Sequence, residues 1–316
     1  MRDGPLIHVG YPKTGTSWLQ AHLFCTSGCA GLAGVATAAR INREIVAPNA
    51  LDFDPELTRL RFEARLRKVE DAGSLPVVSA ERLSGAPHAG GYDSRDLAER
   101  LKAVFPEGRV LIAIREQRRM ISSLYRQYVR AGGTLSLRSY LDPPQKGRHS
   151  MPSFHLDHLK YDRLIRLYVS LFGEDRVLVL PFELFCEEPR EFVSRILRFA
   201  NLGEEAERAA ARLPYDQREN AAFTWTYVSL RRRLNRHFVR HRLNPTARFP
   251  IGDRKEHLDR VFERLDRVVP AALQRRIHDR MTALVEQTAA DHFHESNRHT
   301  ARLTGLDLAR HGYAVS

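Results

Sequence analysis

Cysteine and long apolar runs are both scarce in this sequence. The 316 residues include three cysteines, too few and too irregularly spaced for a disulfide framework or a zinc site. Cys25 and Cys29 lie four residues apart on a predicted first helix, where a pair of small core residues is the simplest interpretation. We therefore expect no metal centre, and we expect a reducing cytoplasm as the location of the chain.

No stretch of the sequence reaches the roughly 18 consecutive apolar residues that cross a bilayer, and the opening MRDGPLIHVG predicts no secretory signal. With 43% hydrophobic and 28% charged residues, the composition is typical of a globular protein. Acidic residues are the minority: Lys and Arg number 50 against 38 Asp and Glu, which gives a net charge of +12. Such a surface attracts anions. Because no nucleic-acid-binding motif accompanies it, nucleic acid is not an expected partner.

Apolar strands alternate with helical patterns over the first two thirds of the chain. A glycine- and alanine-rich stretch at 28–38 shows no periodicity and is predicted to be a loop. The alternation predicts an α/β fold with a doubly wound, mostly parallel sheet. We expect residues 1–203 to form this core and residues 204–316 to be a helical, basic part of the same domain. The predicted helices are 55–71, 94–105 and 117–131, and the predicted strands include 75–80 and 110–114.

The first predicted strand runs into a glycine-bounded loop, HVGYPKTGTSWLQ, at residues 8–20. Backbone N–H groups and hydroxyls of such a loop can wrap a tetrahedral anion in front of a helix. A nucleoside-triphosphate P-loop carries its lysine directly after the second glycine, beside a hydroxyl that holds magnesium. Here Thr16 takes that position, and the lysine, Lys13, lies inside the loop. The pattern predicts a P-loop-like anion cradle with a displaced cation, and an ordinary strand-to-helix turn is the competing interpretation.

Two other predicted strands end in polar residues. Glu81 follows an apolar strand in SAERLSG, Arg115 follows VLIAI, and Ser123 comes eight residues later on the next helix. The carboxyl ends of parallel strands meet at one edge of a sheet, where ligands bind. An arginine there can form charge-assisted bonds to phosphate. A solvated or helix-capping glutamate is an equally ordinary interpretation of Glu81.

The octapeptide YPKTGTSW, residues 11–18, resembles the 5′-phosphosulfate loop of PAPS-dependent sulfotransferases, whose cytosolic members carry Tyr-Pro-Lys-Ser-Gly-Thr-Thr-Trp. The spacing from Arg115 to Ser123 is similar to that of the family's 3′-phosphate site. A third segment, VLVLPFELFCEEPREF, resembles the family's strand that is followed by acidic residues, a proline and a helix. Together the three segments extend over most of residues 6–202.

The resemblance implies a donor, 3′-phosphoadenosine 5′-phosphosulfate (PAPS), which becomes the bisphosphate PAP when it loses its sulfuryl group. Such a donor needs no magnesium bridge, but it needs a cation at the oxygen between phosphorus and sulfur, the role implied for Lys13. The implied base is Glu81, as in glycan-modifying members, with His88 as the alternative. The implied donor-binding residues are Lys13, Thr14, Gly15, Thr16 and Ser17 at the 5′-phosphosulfate, Trp18 at the adenine, and Arg115 and Ser123 at the 3′-phosphate.

The chain departs from the family pattern in two places. Phe182 replaces a tyrosine that touches adenine in cytosolic members, and the C-terminal Arg-Lys-Gly segment that closes over the 3′-phosphate has no clear counterpart. QREN at 217–220 and GDRK at 252–255 are candidates for its place. The expected acceptor is a hydroxyl or amine of a glycan, lipid or small metabolite. The basic segment 229–248 predicts an amphipathic helix on the core and leaves peripheral membrane contact open.

Two other functions compete with sulfuryl transfer. A P-loop kinase or nucleotide-binding protein needs a lysine at position 16 and an acidic metal ligand at a strand end, where this chain has Arg115. A non-catalytic basic module that binds anions at its surface would leave Lys13 and Glu81 without a use inside a crevice. The sequence favours a metal-free sulfotransferase, and it predicts nothing about the oligomeric state.

Overall fold

The computed structural model describes residues 4–143, 153–217, 223–238 and 268–315. The chain divides into two compact units. The first unit comprises Met1–Glu116, Asp157–Glu219 and Phe293–Ser316, and the second comprises Gln117–Leu156 and Asn220–His292.

The described part of the chain is mostly helical. The π-helical segments Leu19–Leu23 and Asn42–Val46 directly continue the first two α-helices. The α-helices are α1 (Thr16–Trp18), α2 (Ala38–Ile41), α3 (Pro55–Asp71), α4 (Ser94–Val104), α5 (Gln117–Arg130), α6 (Leu137–Leu141), α7 (Tyr161–Phe172), α8 (Phe182–Glu187), α9 (Pro189–Phe199), α10 (Glu204–Ala210), α11 (Trp225–Phe238), α12 (Ala271–Ala289) and α13 (His294–Thr304).

Five strands of the described residues form one sheet in the order β2-β3-β1-β4-β5, and every neighbouring pair is parallel. The chain stays on one side of β1 as far as β3 and then crosses to the other side for β4 and β5. The predicted α/β fold with a doubly wound, parallel sheet is therefore confirmed. The strands are β1 (Leu6–His8), β2 (Leu32–Gly34), β3 (Leu75–Ser79), β4 (Arg109–Ile114) and β5 (Val177–Pro181).

The prediction of a loop at 28–38 is wrong in part, because this stretch contains β2. The strand residues Leu-Ala-Gly lack the β-branched side chains that favour a strand. The strand forms because Leu32 pairs with Leu75 on β3, and the Leu75 N–H donates to the Gly31 carbonyl at 2.8 Å. Pairing with a distant segment, rather than local preference, creates this strand.

The predicted helix at 55–71 matches α3 at both ends. Asp54 caps it, since its Oδ1 accepts hydrogen bonds from the backbone N–H groups of Glu56 and Leu57, both at 2.9 Å. Pro55 takes the first helical position, where its missing N–H is not needed. Local capping signals therefore fixed this boundary.

The hydrophobic core of the first unit lies between the sheet and α9. Leu6, Leu111 and Leu180, from three neighbouring strands, are at most 1% exposed. They belong to one cluster with Trp18 of α1 and Phe192 of α9. Packing of α1 into this cluster fixes the loop between β1 and α1 to the sheet.

The interpretation of Cys25 and Cys29 as core residues is wrong. Both follow the π-helical turn that ends at Leu23, and both are partly exposed. The structure joins them in a disulfide with a Cα–Cα distance of 6.0 Å. Gly28 adopts φ of +82° between them, a conformation that glycine reaches without steric cost. The turn at this glycine brings the two sulfur atoms together.

The second unit is held by contacts between α5 and α11. The Asn235 side-chain amide donates to the carbonyls of Val129 and Gly133 at 2.7 and 2.9 Å. The guanidinium of Arg126 lies 4.2 Å from the ring centre of Trp225. Of the basic segment 229–248, the described residues 229–238 are all part of helix α11. None of the helices in the described residues is both long and apolar enough to cross a membrane.

The C-terminal residues 293–316 belong to the first unit, together with the sheet. The hydroxyl of Ser296 on α13 donates to the carboxylate of Asp162 on α7. The Tyr313 hydroxyl donates to Glu183 Oε2 at 3.1 Å. Burial raises the pKa of the Glu183 carboxyl, and this hydrogen bond opposes the rise.

We expect Tyr313→Phe to lower the free energy of unfolding by about 1–3 kcal/mol, because Oε2 of the buried Glu183 carboxylate loses the Tyr313 donor. The Glu116 N–H still donates to the other oxygen, Oε1. The exposed Tyr92, at 61%, offers a control, and Tyr92→Phe should change stability by no more than about 0.5 kcal/mol. Chemical denaturation of the two variants measures both effects.

The loss should depend on pH. Because the folded-state pKa of Glu183 is raised, the stability that this group contributes is present in acid and is lost as the pH rises through that pKa. Tyr313→Phe raises the pKa of Glu183 further, so its cost should be larger at neutral pH than below the usual carboxyl range. An equal cost at both pH values would contradict this account.

Candidate active site

Three strand ends meet at the centre of the sheet. β1 lies between β3 and β4, with His8 in register with Ser79 on one side and with Leu111 on the other. Lys13 follows β1, Glu81 follows β3 and Arg115 follows β4. The topology thus brings these residues to neighbouring positions at the carboxyl edge, where parallel sheets bind ligands.

The loop between β1 and α1 has an unusual backbone. Lys13 has φ of +67° and Gly15 has φ of +82°. A Cβ on Gly15 would lie 3.2 Å from the ring of Phe182, so a larger residue would be both strained and crowded. No side chain of the described residues caps the N-terminus of α1, an end whose backbone N–H groups can bind an anion.

The predicted hydroxyl ligands of the loop differ from one another in the structure. The Thr14 hydroxyl is buried and donates to the Tyr11 carbonyl at 2.6 Å, so its proton serves the loop itself. Thr16 is 2% exposed, and its Oγ1 has no hydrogen-bond partner among the described residues. Ser17 is exposed. Thr16 is therefore the hydroxyl that most needs a further partner.

Arg115 anchors the loop from the neighbouring strand end. Its Nη1 donates to the Lys13 carbonyl at 3.0 Å, and its guanidinium carbon lies 5.1 Å from the ring centre of Phe182. The carbonyl of Arg115 in turn accepts a hydrogen bond from the Tyr161 hydroxyl. Sequence reasoning expected a phosphate ligand here and missed the anchoring contact, for which the sequence carries no signal.

Glu81 and Lys13 act on each other electrostatically. Glu81 is the first residue of a 3₁₀-helix, Glu81–Ser84, directly after β3. Burial raises the pKa of its carboxyl, and the positive charge of Lys13 opposes the rise. The two side chains are both partly buried. The pair therefore combines a basic carboxylate with a fixed cation at one edge of the sheet.

The structure does not place Trp18 at an open surface. The indole is 2% exposed, and its Nε1 donates to the Pro214 carbonyl at 3.2 Å. Tyr215 stacks on it at 5.4 Å between ring centres, and Phe185 contacts it at 4.9 Å. These partly exposed rings cover the indole, so Trp18 has a packing role in this structure, and its expected contact with adenine stays a prediction.

His88, the alternative base, lies in a second polar cluster. Burial lowers the pKa of His88 to about 4. Its charge acts on His158, whose pKa burial also lowers to about 4. The ion pair between Arg82 and Asp93 interacts with the same histidine.

For several other predicted positions the structure gives little or no local geometry. Ser123 is partly exposed on α5, in the second unit. The candidate segment GDRK and all of QREN except Gln217 lie outside the described residues, as does the end of the basic segment, 239–248. Within the described residues, no group of three or more His, Cys, Asp or Glu side chains could hold a metal ion.

One polar residue near the loop was missed altogether. His8 lies at the end of β1, is fully buried, and binds Ser79 Oγ through Nδ1 at 2.8 Å. The signal was present, since a histidine interrupts an otherwise apolar strand. A lone histidine in a strand has too many ordinary explanations to be assigned a role from sequence.

No protein-family profile and no curated protein sequence matches the chain. Three similar solved structures are sulfotransferases. A sulfotransferase from Alicyclobacillus acidocaldarius is 20% identical, with a TM-score of 0.47 over 70% of this chain and 87% of that one. A sulfotransferase domain from the curacin biosynthetic pathway is 14% identical, with a TM-score of 0.38 over 65% of this chain and 77% of that one. A sulfotransferase domain from the Synechococcus PCC 7002 olefin synthase is 13% identical, with a TM-score of 0.37 over 73% of this chain and 92% of that one.

All three structures carry the name of the family that the motifs resemble. At these identities and scores they say nothing about the donor, the acceptor or the chemistry of this chain.

Proposed function

We propose that this chain is an enzyme that transfers a sulfuryl group from PAPS to a hydroxyl or amine acceptor. The observation that carries the proposal is the arrangement at the sheet edge: a left-handed Lys13 whose carbonyl is bound by Arg115 and whose charge acts on the Glu81 carboxylate. Backbone strain of this kind at a ligand-binding loop is a sign of function. The loop motif YPKTGTSW names the donor class.

In the proposed mechanism the loop binds the donor's 5′-phosphate. Backbone N–H groups at the uncapped start of α1 and the Thr16 hydroxyl donate to the phosphate oxygens. PAPS supplies a sulfuryl group on an activated phosphate. Lys13 faces the bridging oxygen, where negative charge grows as the bond between oxygen and sulfur breaks.

Glu81 serves as the general base for the acceptor. A carboxylate whose pKa is raised by burial binds a proton more strongly than an exposed one. The positive charge of Lys13 opposes the rise in pKa and so favours the ionised carboxylate, the form that accepts the proton of the attacking hydroxyl. Base and cation thus lie on the two neighbouring strand ends between which an in-line displacement would run.

Arg115 has two parts to play in this proposal. Its bond to the Lys13 carbonyl shapes the loop, and its guanidinium binds the 3′-phosphate. The expected contact of Ser123 with that phosphate stays a prediction. Stacking of the adenine falls to Tyr215 or Phe185, which are partly exposed, rather than to the covered Trp18.

The acceptor class, membrane contact and cytoplasmic location stay predictions. A disulfide between Cys25 and Cys29 persists in an oxidising compartment and is rare in a reducing cytoplasm. The location therefore rests on whether this disulfide forms in the cell.

The first test compares nucleotides. We expect PAP at about 100 times its Kd to stabilise the protein by about 2.7 kcal/mol, and ATP with magnesium to stabilise it far less. Differential scanning fluorimetry gives the answer. Stabilisation by ATP with magnesium and none by PAP would reject the proposal in favour of a P-loop kinase.

The second test removes the cation and the base separately. Lys13→Ala should lower the rate of transfer by about 10²–10³, because the leaving oxygen loses its stabilising charge. Glu81→Gln should lower it by about 10²–10⁴. Transfer of the radiolabelled sulfuryl group from PAPS to acceptors in a cell extract measures the rate. If Glu81→Gln keeps the rate while His88→Gln loses it, the base is His88.

The third test needs no turnover. Because the charge of Lys13 opposes the raised pKa of Glu81, Lys13→Ala should raise the pKa of that carboxyl further. The base of the variant would then be ionised only at higher pH. Titration of the Glu81 carboxyl carbon by NMR measures the change, and Lys68→Ala, on the exposed side of α3, is the control. If the pKa of Glu81 is unchanged in Lys13→Ala, the two residues do not interact and the proposed mechanism loses its basis.

A further inference from the structure

The buried His8 has one nitrogen without a partner, and that nitrogen lies at the donor loop. Its Nε2 has no hydrogen-bond partner among the described residues, although the side chain is fully buried. A buried polar atom left in this state costs free energy unless a further group satisfies it. The mechanism above makes no use of this histidine.

The nearest polar atom in a similar state belongs to Thr16. A Cβ on Gly10 would lie 2.8 Å from His8 Nε2 and 3.0 Å from Thr16 Oγ1. The two atoms thus face the same side of Gly10, and only a glycine leaves room for both. Each is buried, and neither has a partner in the described part of the chain.

The hydrogen bonds on the other side of His8 bear on where its proton lies. Gln20 Nε2 donates to the Ser79 carbonyl at 3.0 Å, which fixes the amide because a carbonyl can only accept. The same Nε2 is 3.1 Å from Ser79 Oγ, so that hydroxyl accepts from it. A hydroxyl has one proton and two acceptor sites, so Ser79 Oγ can accept from Gln20 and give its proton to His8 Nδ1, at 2.8 Å.

A neutral imidazole that accepts at Nδ1 carries its proton on Nε2. Burial lowers the pKa of His8 to about 4, which keeps the ring neutral near pH 7. With Ser79 as the donor to Nδ1, the Nε2 end of His8 is itself a donor, and it lies on the side of Gly10 where Thr16 Oγ1 lies.

We infer that His8 is a positioning residue for the donor. Neither His8 Nε2 nor Thr16 Oγ1 has a partner among the described residues; when the donor binds, the His8 Nε2–H donates to Thr16 Oγ1 and turns the threonine hydroxyl proton toward the 5′-phosphate. Each group in the series Gln20, Ser79, His8 and Thr16 then donates to the next, and the last donates to the anion. The donor-to-acceptor direction of these hydrogen bonds thus begins at the Gln20 amide and ends at the anion. This inference rests on the proposed function, because it requires an anionic group at Thr16.

A matched pair of variants tests the inference. In His8→Gln the side-chain amide replaces the Nε2 donor, so the affinity for PAP should stay within about threefold of the original. In His8→Asn only the Nδ1 end is replaced, so the affinity should fall about tenfold, the factor that corresponds to about 1.4 kcal/mol. Isothermal titration calorimetry with PAP measures both.

A purely structural role is separated by a double-mutant cycle. If His8 acts through Thr16, then His8→Asn should cost no further affinity in a Thr16→Val background. A structural defect would lower the affinity equally in both backgrounds and would overturn the inference. The melting temperature of each variant without ligand shows whether it is folded.

The tautomer gives a readout that does not depend on PAP. Nitrogen NMR of the imidazoles, with His8 assigned by its absence in His8→Gln, should show the proton on Nε2. A proton on Nδ1 overturns the inference even if PAP binds. If PAP does not bind the original protein, the proposed function fails and takes the inference with it. If PAP binds and the two variants behave alike, only the inference fails.

Discussion

The hydrogen bond from Arg115 to the Lys13 carbonyl is the contact on which the rest of the site depends. A left-handed residue other than glycine costs about 1–2 kcal/mol, and Lys13 adopts this conformation with φ of +67°. A hydrogen bond from a charged donor contributes about 1.5–3 kcal/mol. The two magnitudes are similar, so this one bond, at 3.0 Å, is sufficient to offset the strain. Without it the loop would relax, and the lysine would lose its place next to Glu81.

Sheet topology explains why a single contact can do this. Neighbouring parallel strands lie about 4.8 Å apart, so residues at the ends of β3 and β4 flank the loop after β1 at close range. Glu81 comes from one flank and Arg115 from the other. From one side of the loop the Glu81 carboxylate interacts with the charge of Lys13, and from the other side Arg115 binds the Lys13 carbonyl. The strand order therefore sets the polarity of the site.

Sequence patterns predicted the parts of this structure that local chemistry determines. The ends of α3 follow from the Asp54 cap and Pro55, and the strand-end rule found Lys13, Glu81 and Arg115. The parts that were missed depend on residues far away in the chain. β2 exists because it pairs with β3. Trp18 is covered by Pro214 and Tyr215, nearly two hundred residues later. No local pattern could have indicated either contact.

The same distinction applies to the role of Arg115 itself. The sequence shows that an arginine ends β4, and the chemistry of arginine favours a phosphate ligand. A guanidinium, however, has five N–H donors, and the bond to the Lys13 carbonyl occupies one nitrogen. The two roles therefore do not exclude each other, because a guanidinium donates through more than one nitrogen. If the proposed donor binds there, an anion that orders the guanidinium would also strengthen the contact that holds Lys13 in its left-handed conformation, and the shape of the loop would be coupled to the ligand.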